Sequence, residues 1–385
     1  MKPLIGHGPR FEALSRAFAK GQIPQTLLVS GPPNVGKSTL VTRYAQLLLC
    51  PNLEQQNGLP APCGTCKTCH QIEIEVFPDF RVFRPIVSKA EPTRAPEALD
   101  SSLIPVEMAR SFNEEAIRKP IAAARKVLWM HQFEKTQEEA QNALLKTLEE
   151  PPSGSFLILT TENAKNLRDT ILSRCWHLPL PPVADAEIEP WLREDFPGTS
   201  PQKMKEVLRA AAGRPGAARR ELQRMQSGGE ARSRFAVACD LLNRLDGSSP
   251  VAALGFTEEA LGWANIWWAE DAGEGVDLKK LGAKGPRAAA ARFLDELMIA
   301  GRALWVKNLR EIAPGSSSDH AQNGHASGKS HSHALAEVGA ARLDQIRKTR
   351  HYIYHNANRQ LALDVMFGRL IALRARPASP PRSRN

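Results

Sequence analysis

The sequence predicts an α/β domain built on a parallel sheet wrapped by helices, followed by purely helical segments, and three observations carry that expectation. Apolar strand-like runs, TLLVS at Thr26–Ser30, KVLWM at Lys126–Met130 and FLILT at Phe156–Thr160, alternate with helical patterns up to about Leu180. Pro179, Pro181 and Pro182 then interrupt the chain, and because proline removes a donor and fixes φ, neither strand nor helix should continue through them. Beyond Ala184 the pattern is helical throughout, first polar to about Gln226 and then, past the Ser227-Gly228-Gly229 break, apolar on one face at helical spacing.

At 385 residues the chain is long enough for two or three domains. The expected division is 1–180, an α/β domain with a cysteine-rich insert at 50–69; 181–226, a small helical lid; and 227–385, a helical collar. Hydrophobic residues at 42% and charged residues at 24% suit a globular protein with a substantial core and exclude disorder of the whole chain. Apolar runs such as Phe156–Leu159 fall far short of the roughly 18 residues a membrane helix needs, and MKPLIGHGPR has no signal-like apolar stretch, so a cytoplasmic location is expected. The formal net charge of +10 suits a polyanionic partner, with nucleic acid the leading candidate.

The first element with chemistry is the loop after TLLVS. Gly31-Pro32-Pro33-Asn34-Val35-Gly36-Lys37-Ser38 fits G-x-x-x-x-G-K-[ST] and is followed by the helical run that starts at Thr39. In this context backbone N–H groups and the helix amino terminus can cradle phosphate oxygens. Lys37 supplies a point charge and Ser38 a hydroxyl for Mg²⁺. Nucleotide binding through residues 31–39 is therefore expected, with ATP and Mg²⁺ as the ligands.

The next element is the insert. Cys50 is separated by twelve residues from Cys63-Gly64-Thr65-Cys66-Lys67-Thr68-Cys69, which repeats C-x-x-C around a shared cysteine. Four thiolates at this spacing suit a tetrahedral, structural Zn²⁺ held by Cys50, Cys63, Cys66 and Cys69, with His70 surplus. A redox pair is the alternative, disfavoured in a reducing compartment. Cys175 and Cys239 stand alone and read as buried small hydrophobes.

Hydrolysis by a phosphate-loop protein needs carboxylates at the end of a second strand, one for Mg²⁺ and one for the attacking water. Here KVLWM runs into His131-Gln132, and Glu134 is expected inside the following helix and pointing elsewhere. Turnover at this site should be crippled.

In the lid, seven basic residues (Lys203, Lys205, Arg209, Arg214, Arg219, Arg220, Arg224) face two acidic ones (Glu206, Glu221). In the collar Phe293, Leu297 and Leu304 share a helical face and read as core. The tract at about 314–333, rich in Ser, Gly and His, has no large apolar side chain and is expected to be a disordered insertion. Its histidines could chelate a metal, although a flexible polar tract is the simpler account.

LIGH at Leu4–His7, the phosphate loop, the four-cysteine insert, IPVEMAR at Ile104–Arg110, NALLKTLEEPP at Asn142–Pro152, TILSRC at Thr170–Cys175 and, more weakly, NANRQLAL at Asn356–Leu363 together resemble the bacterial DNA polymerase III clamp loader family of AAA+ proteins. The chain is more similar to the delta-prime branch than to the ATP-hydrolysing gamma/tau branch. His131-Gln132 stands where that family's ATPase subunits have Asp-Glu, and Gly216 aligns with their sensor arginine. The resemblance implies an AAA+ module, a lid and a collar that joins a pentameric ring with gamma/tau and delta subunits, loading a sliding clamp onto primer-template DNA. It also implies that Arg174 of the Ser-Arg-Cys motif reaches across an interface to a neighbour's ATP, a structural ion pair being the other reading of that residue. Two rival readings remain: a gamma/tau-type motor that hydrolyses ATP, supported by the intact loop, and a zinc protein gripping DNA directly through Cys50–Cys69 and the basic lid.

Overall fold

Alternation along each central strand sends side chains to two opposite faces, and that divides the core. The computed structural model describes residues 3–86, 103–227, 233–246, 248–272, 284–312, 325–354 and 357–373. The expected strands form as read: β1 (Thr26–Ser30) lies between α1 (Gly8–Ala19) and α2 (Lys37–Leu49). A hairpin of β2 (Leu53–Gln56) and β3 (Leu59–Pro62) follows, then α3 (Lys67–Glu73), β4 (Phe80–Phe83) and α4 (Val106–Ile117). β5 (Lys126–Met130), α5 (Glu138–Glu149), β6 (Ser155–Thr161), the single turn α6 (Asp169–Leu172) and β7 (Trp176–Pro179) complete the α/β part.

The five long-range strands form one parallel sheet in the order β4-β5-β6-β1-β7. Leu27, Val29, Val127, Trp129, Phe156 and Ile158 face a core shared with Phe11, Leu14, Leu40 and Val41 of α1 and α2. Leu28, Leu128, Met130, Leu157 and Leu159 face the opposite core, with Ala109 and Phe112 of α4 and Leu144 and Leu148 of α5. The result is a three-layer sandwich with the central strands buried on both faces. β7 is an edge strand, and it ends at Pro179, where the missing N–H costs the sheet nothing.

Three further helices stand with this unit: α7 (Asp185–Asp195), α8 (Pro201–Ala211) and α9 (Pro215–Ser227). The first compact unit extends to Arg224, so these helices are grouped with the sheet and the chain divides at Arg224–Met225. Several of the basic charges on these helices are committed locally. Arg219 pairs with Asp195 at 3.0 Å, Arg224 pairs with Glu221 at 3.0 Å, and Arg214 turns back to donate to the carbonyls of Ala211 and Ala210.

The second unit is helical: α10 (Arg234–Leu245), α11 (Ala253–Ala272), α12 (Lys284–Ile312), α13 (His325–Tyr354) and α14 (Arg359–Ala372). Trp267 stacks on Phe293 at 5.2 Å and Phe256 packs on Phe367 at 5.9 Å. Phe293 and Leu297 are fully buried, whereas Leu304 of the same stripe is half-buried. One expectation is corrected here. Of the tract at about 314–333, residues up to 324 lie outside the described residues, but the backbone from His325 onward is the start of α13. The helix that carries the apolar positions around Ile346 extends amino-terminally into the polar tract, where Ala and Lys are good helix formers.

Candidate nucleotide site and cysteine centre

The phosphate loop, the residues that follow β5 (His131 to Glu134) and Glu162 after β6 leave the carboxyl ends of the parallel strands, the edge at which open α/β sheets bind ligands, whereas Arg174 directly precedes β7 and the cysteines begin at the far end of α2. The loop 31–36 leaves β1 there and delivers the amino terminus of α2. Gly36 is the N-cap of α2 with φ 116°, a conformation that disfavours a side chain, and Asn34 adopts a left-handed φ of 63°. Val35 is buried and anchors the loop from below, whereas Pro33 and Ser38 are exposed. Lys37 Nζ donates to the carbonyls of Gly31 and Pro32 at 2.5 and 2.9 Å, so the ammonium lies folded over the loop. Burial pushes its pKa down, and the carboxylates of Glu162 and Glu134 counter that.

Two contacts at this loop and one beside it were not foreseen from the sequence as site features. His7, fully buried, donates from Nε2 to the Val35 carbonyl at 3.0 Å and lies against Gly36. The Gly216 N–H, in the first turn of α9, donates to the Asn34 carbonyl at 3.0 Å. Glu162 follows directly on β6, and its N–H donates to Glu134 Oε1 at 3.3 Å. The available clues were LIGH for His7, the alignment of Gly216 with a sensor arginine, and a charged residue immediately after an apolar strand for Glu162.

His131 follows β5, packs edge-on against Trp129 at 5.3 Å and has its pKa lowered to about 4, first by burial and then by the charges of Arg84 and Lys37. It is therefore neutral at pH 7, and it is not a carboxylate. Gln132 takes a left-handed φ of 54° and starts the short helical turn Phe133–Lys135. The expectation that Glu134 points elsewhere is corrected: that turn brings its carboxylate back toward the end of β6 and Lys37, and its Oε2 is buried without a hydrogen-bond partner among the described residues.

The four expected cysteines come together. Their sulfurs all lie within 4.8 Å of one another, with Cys50 Sγ 3.6 Å from Cys63 Sγ and 3.8 Å from Cys66 Sγ. Four sulfurs about 2.3 Å from a common tetrahedral centre would have edges of about 3.8 Å, so this donor set fits a metal ion. The backbone builds the cluster: β2 and β3 turn on Asn57-Gly58, both at positive φ, and return Cys63 to Cys50. Cys66 caps α3, its sulfur accepting from the Cys69 N–H at 3.4 Å, and Gln46 of α2 donates to the Cys69 carbonyl at 3.0 Å. N–H groups of Cys66 and Thr65 pull the Cys63 thiol down to about 6, while burial pushes Cys50 and Cys69 up. His70 is outside the cluster. Cys175 and Cys239 are half-buried rather than buried, and burial raises the Cys175 thiol to about 12.

Arg174 sits just past α6. Its Nε and Nη2 both donate to Oε2 of Glu149, at 3.1 and 3.0 Å, and Nη1 donates to the Thr170 carbonyl at 2.9 Å. An ion pair within the chain is thus present.

A parallel sheet with a G-x-x-x-x-G-K-S loop after β1, beside the switch between β6 and β7, defines the first unit as a P-loop nucleotide-binding fold. Comparison with known proteins narrows this: residues 6–184 match the family model described as DNA polymerase III, delta subunit. The chain is 30% identical over 210 residues to DNA polymerase III subunit delta' of Escherichia coli (strain K12), covering 54% of this chain and 58% of that one. It is also 30% identical over 193 residues to DNA polymerase III subunit gamma of Buchnera aphidicola, covering 50% and 48%. It thus spans about half the length of these curated relatives. Among solved structures, a DNA polymerase III gamma subunit-related protein from Thermotoga maritima aligns with 15% identity over 94% of this chain and 98% of that one. The TM-score of that alignment is 0.35. No helix among the described residues is long and apolar enough to cross a membrane.

Proposed function

We propose that the chain is a delta-prime-type clamp-loader subunit that binds ATP with Mg²⁺ without turning it over and helps load a sliding clamp onto primed DNA. The observation that carries this reading is the pairing of an intact phosphate loop with His131-Gln132 at the end of β5, in the region that matches the DNA polymerase III delta subunit family model. Lys37 and the loop N–H groups would hold the phosphates and Ser38 the Mg²⁺. Neutral His131 and Gln132 offer neither a metal-binding carboxylate nor a base for water. Zn²⁺ held by Cys50, Cys63, Cys66 and Cys69 would be structural, since four protein thiolates leave no open coordination position. Residues 1–180, 181–226 and 227–385 would act as AAA+ module, lid and collar, the collar joining gamma/tau and delta subunits in a pentameric ring in the cytoplasm.

In that ring Arg174 would project toward a neighbour's nucleotide, where a planar guanidinium neutralises charge on a transferred phosphoryl group. Direct DNA binding by the lid is less favoured, because Arg214, Arg219 and Arg224 are already committed to partners in the chain. The motor reading draws on one specific observation, the return of Glu134 toward Lys37. The test is omission from a loader reconstituted with the partner subunits of the same organism. Without this chain, clamp loading on primed DNA should fall to background and return when the chain is added. Full loading in its absence would overturn the assignment.

A further inference from the structure

We propose that Glu149 is a positioning residue for Arg174, holding the guanidinium in one orientation for a phosphate group on a neighbouring subunit. This rests on the trans reading of Arg174 given above and adds to it a residue that acts only through Arg174. Two donors of the guanidinium, Nε and Nη2, converge on one carboxylate oxygen of Glu149, and the Thr170 carbonyl takes Nη1. Nη1 also donates to Ser173 Oγ at 3.5 Å, so four of the five N–H groups have partners in the chain and the second N–H of Nη2 is left for an incoming anion.

The placement of Glu149 argues that the pair is not incidental. It is the last residue of α5, where the helix presents its negative end and a carboxylate is unfavourable unless a cation lies against it. The pair joins α5 to the turn after α6 across 25 residues of sequence, so it is a tertiary contact and not a local helix pair. The Arg174 side chain is 29% exposed and that of Glu149 57% exposed. A pair this wet contributes little to stability. Its consequence is orientational: a flexible four-torsion side chain is fixed before a ligand arrives, and that saves the ordering cost at the moment of reaction.

The test uses a reconstituted loader containing the full chain, in which every ATP site except the one facing Arg174 has been silenced. The reading is DNA- and clamp-stimulated ATP hydrolysis. Arg174→Ala should lower kcat by about 10³-fold. Glu149→Gln should lower kcat by about three- to tenfold with the KM for ATP and the melting temperature unchanged, since only orientation is lost. The double variant should be no slower than Arg174→Ala alone, because Glu149 has nothing left to act through. An unchanged rate in Arg174→Ala overturns the trans reading and this inference with it. Loss in Arg174→Ala with an unchanged or faster Glu149→Gln overturns the role of Glu149 alone, as does a further fall in the double variant.

Discussion

His131 decides the chemistry at the end of β5, because a neutral imidazole held among Arg84, Lys37 and Trp129 can neither bind Mg²⁺ as a carboxylate does nor accept a proton from water near neutral pH. The same burial gives a pH signature. Its folded pKa of about 4 lies below the ordinary 6.5. The stability this neutral form contributes is therefore fully present above about pH 6.5 and is lost as pH falls toward 4, by at most about 1.4 kcal/mol per pH unit. Urea unfolding at pH 7 and pH 5 should show a smaller loss in His131→Gln than in the parent chain; equal losses would mean that His131 is not buried as described. At this scale the phosphate loop and the four cysteines were legible, because local spacing alone specifies them. The contributions of His7, Glu134 and Glu162 were not, since each depends on where a remote strand end or turn is delivered.

Among the elements, the strands buried on both faces were read correctly from their apolar runs, as continuous hydrophobicity is what double burial requires. The edge strands β4 and β7 escaped notice: each has four residues, and most of them are at least partly exposed, so neither shows a strong period. The β2–β3 hairpin has an Asn-Gly turn signal, but its strand β2 is exposed throughout and carries no apolar alternation.

Two predictions belong to elements. Gly213, at φ 74°, links α8 to α9, and a Cβ there would stand 2.6 Å from Pro182 Cβ and 2.8 Å from the Val183 carbonyl. Gly213→Ala should cost about 1–3 kcal/mol in denaturant unfolding, and a cost near zero would contradict the close approach of these helices to the end of the sheet. For the cysteine module, elemental analysis should find one zinc per chain. Cys66→Ser, or removal of the ion with a chelator, should make residues 50–73 sensitive to limited proteolysis while the sheet stays folded. Absence of zinc in protein purified without chelator would reject the structural metal.

At the level of the whole molecule, the proposed function has this chain bind ATP, leave it intact and serve its neighbours' chemistry instead of its own. The fold class was legible because the α/β alternation ends abruptly at the prolines after β7 and is followed only by helices. The division of the chain was less so, because the helices α7 to α9 are polar in sequence yet pack with the sheet domain. Single-turnover hydrolysis by the isolated chain, followed beside equilibrium ATP binding in the same Mg²⁺ buffer, tests the claim most directly. Binding that is lost in Lys37→Ala, with no product formed over many half-lives of a typical clamp-loader ATPase, is the predicted result. Turnover comparable with that of a gamma/tau subunit, abolished by Glu134→Gln, would contradict it and show that Glu134 supplies the carboxylate that the end of β5 lacks.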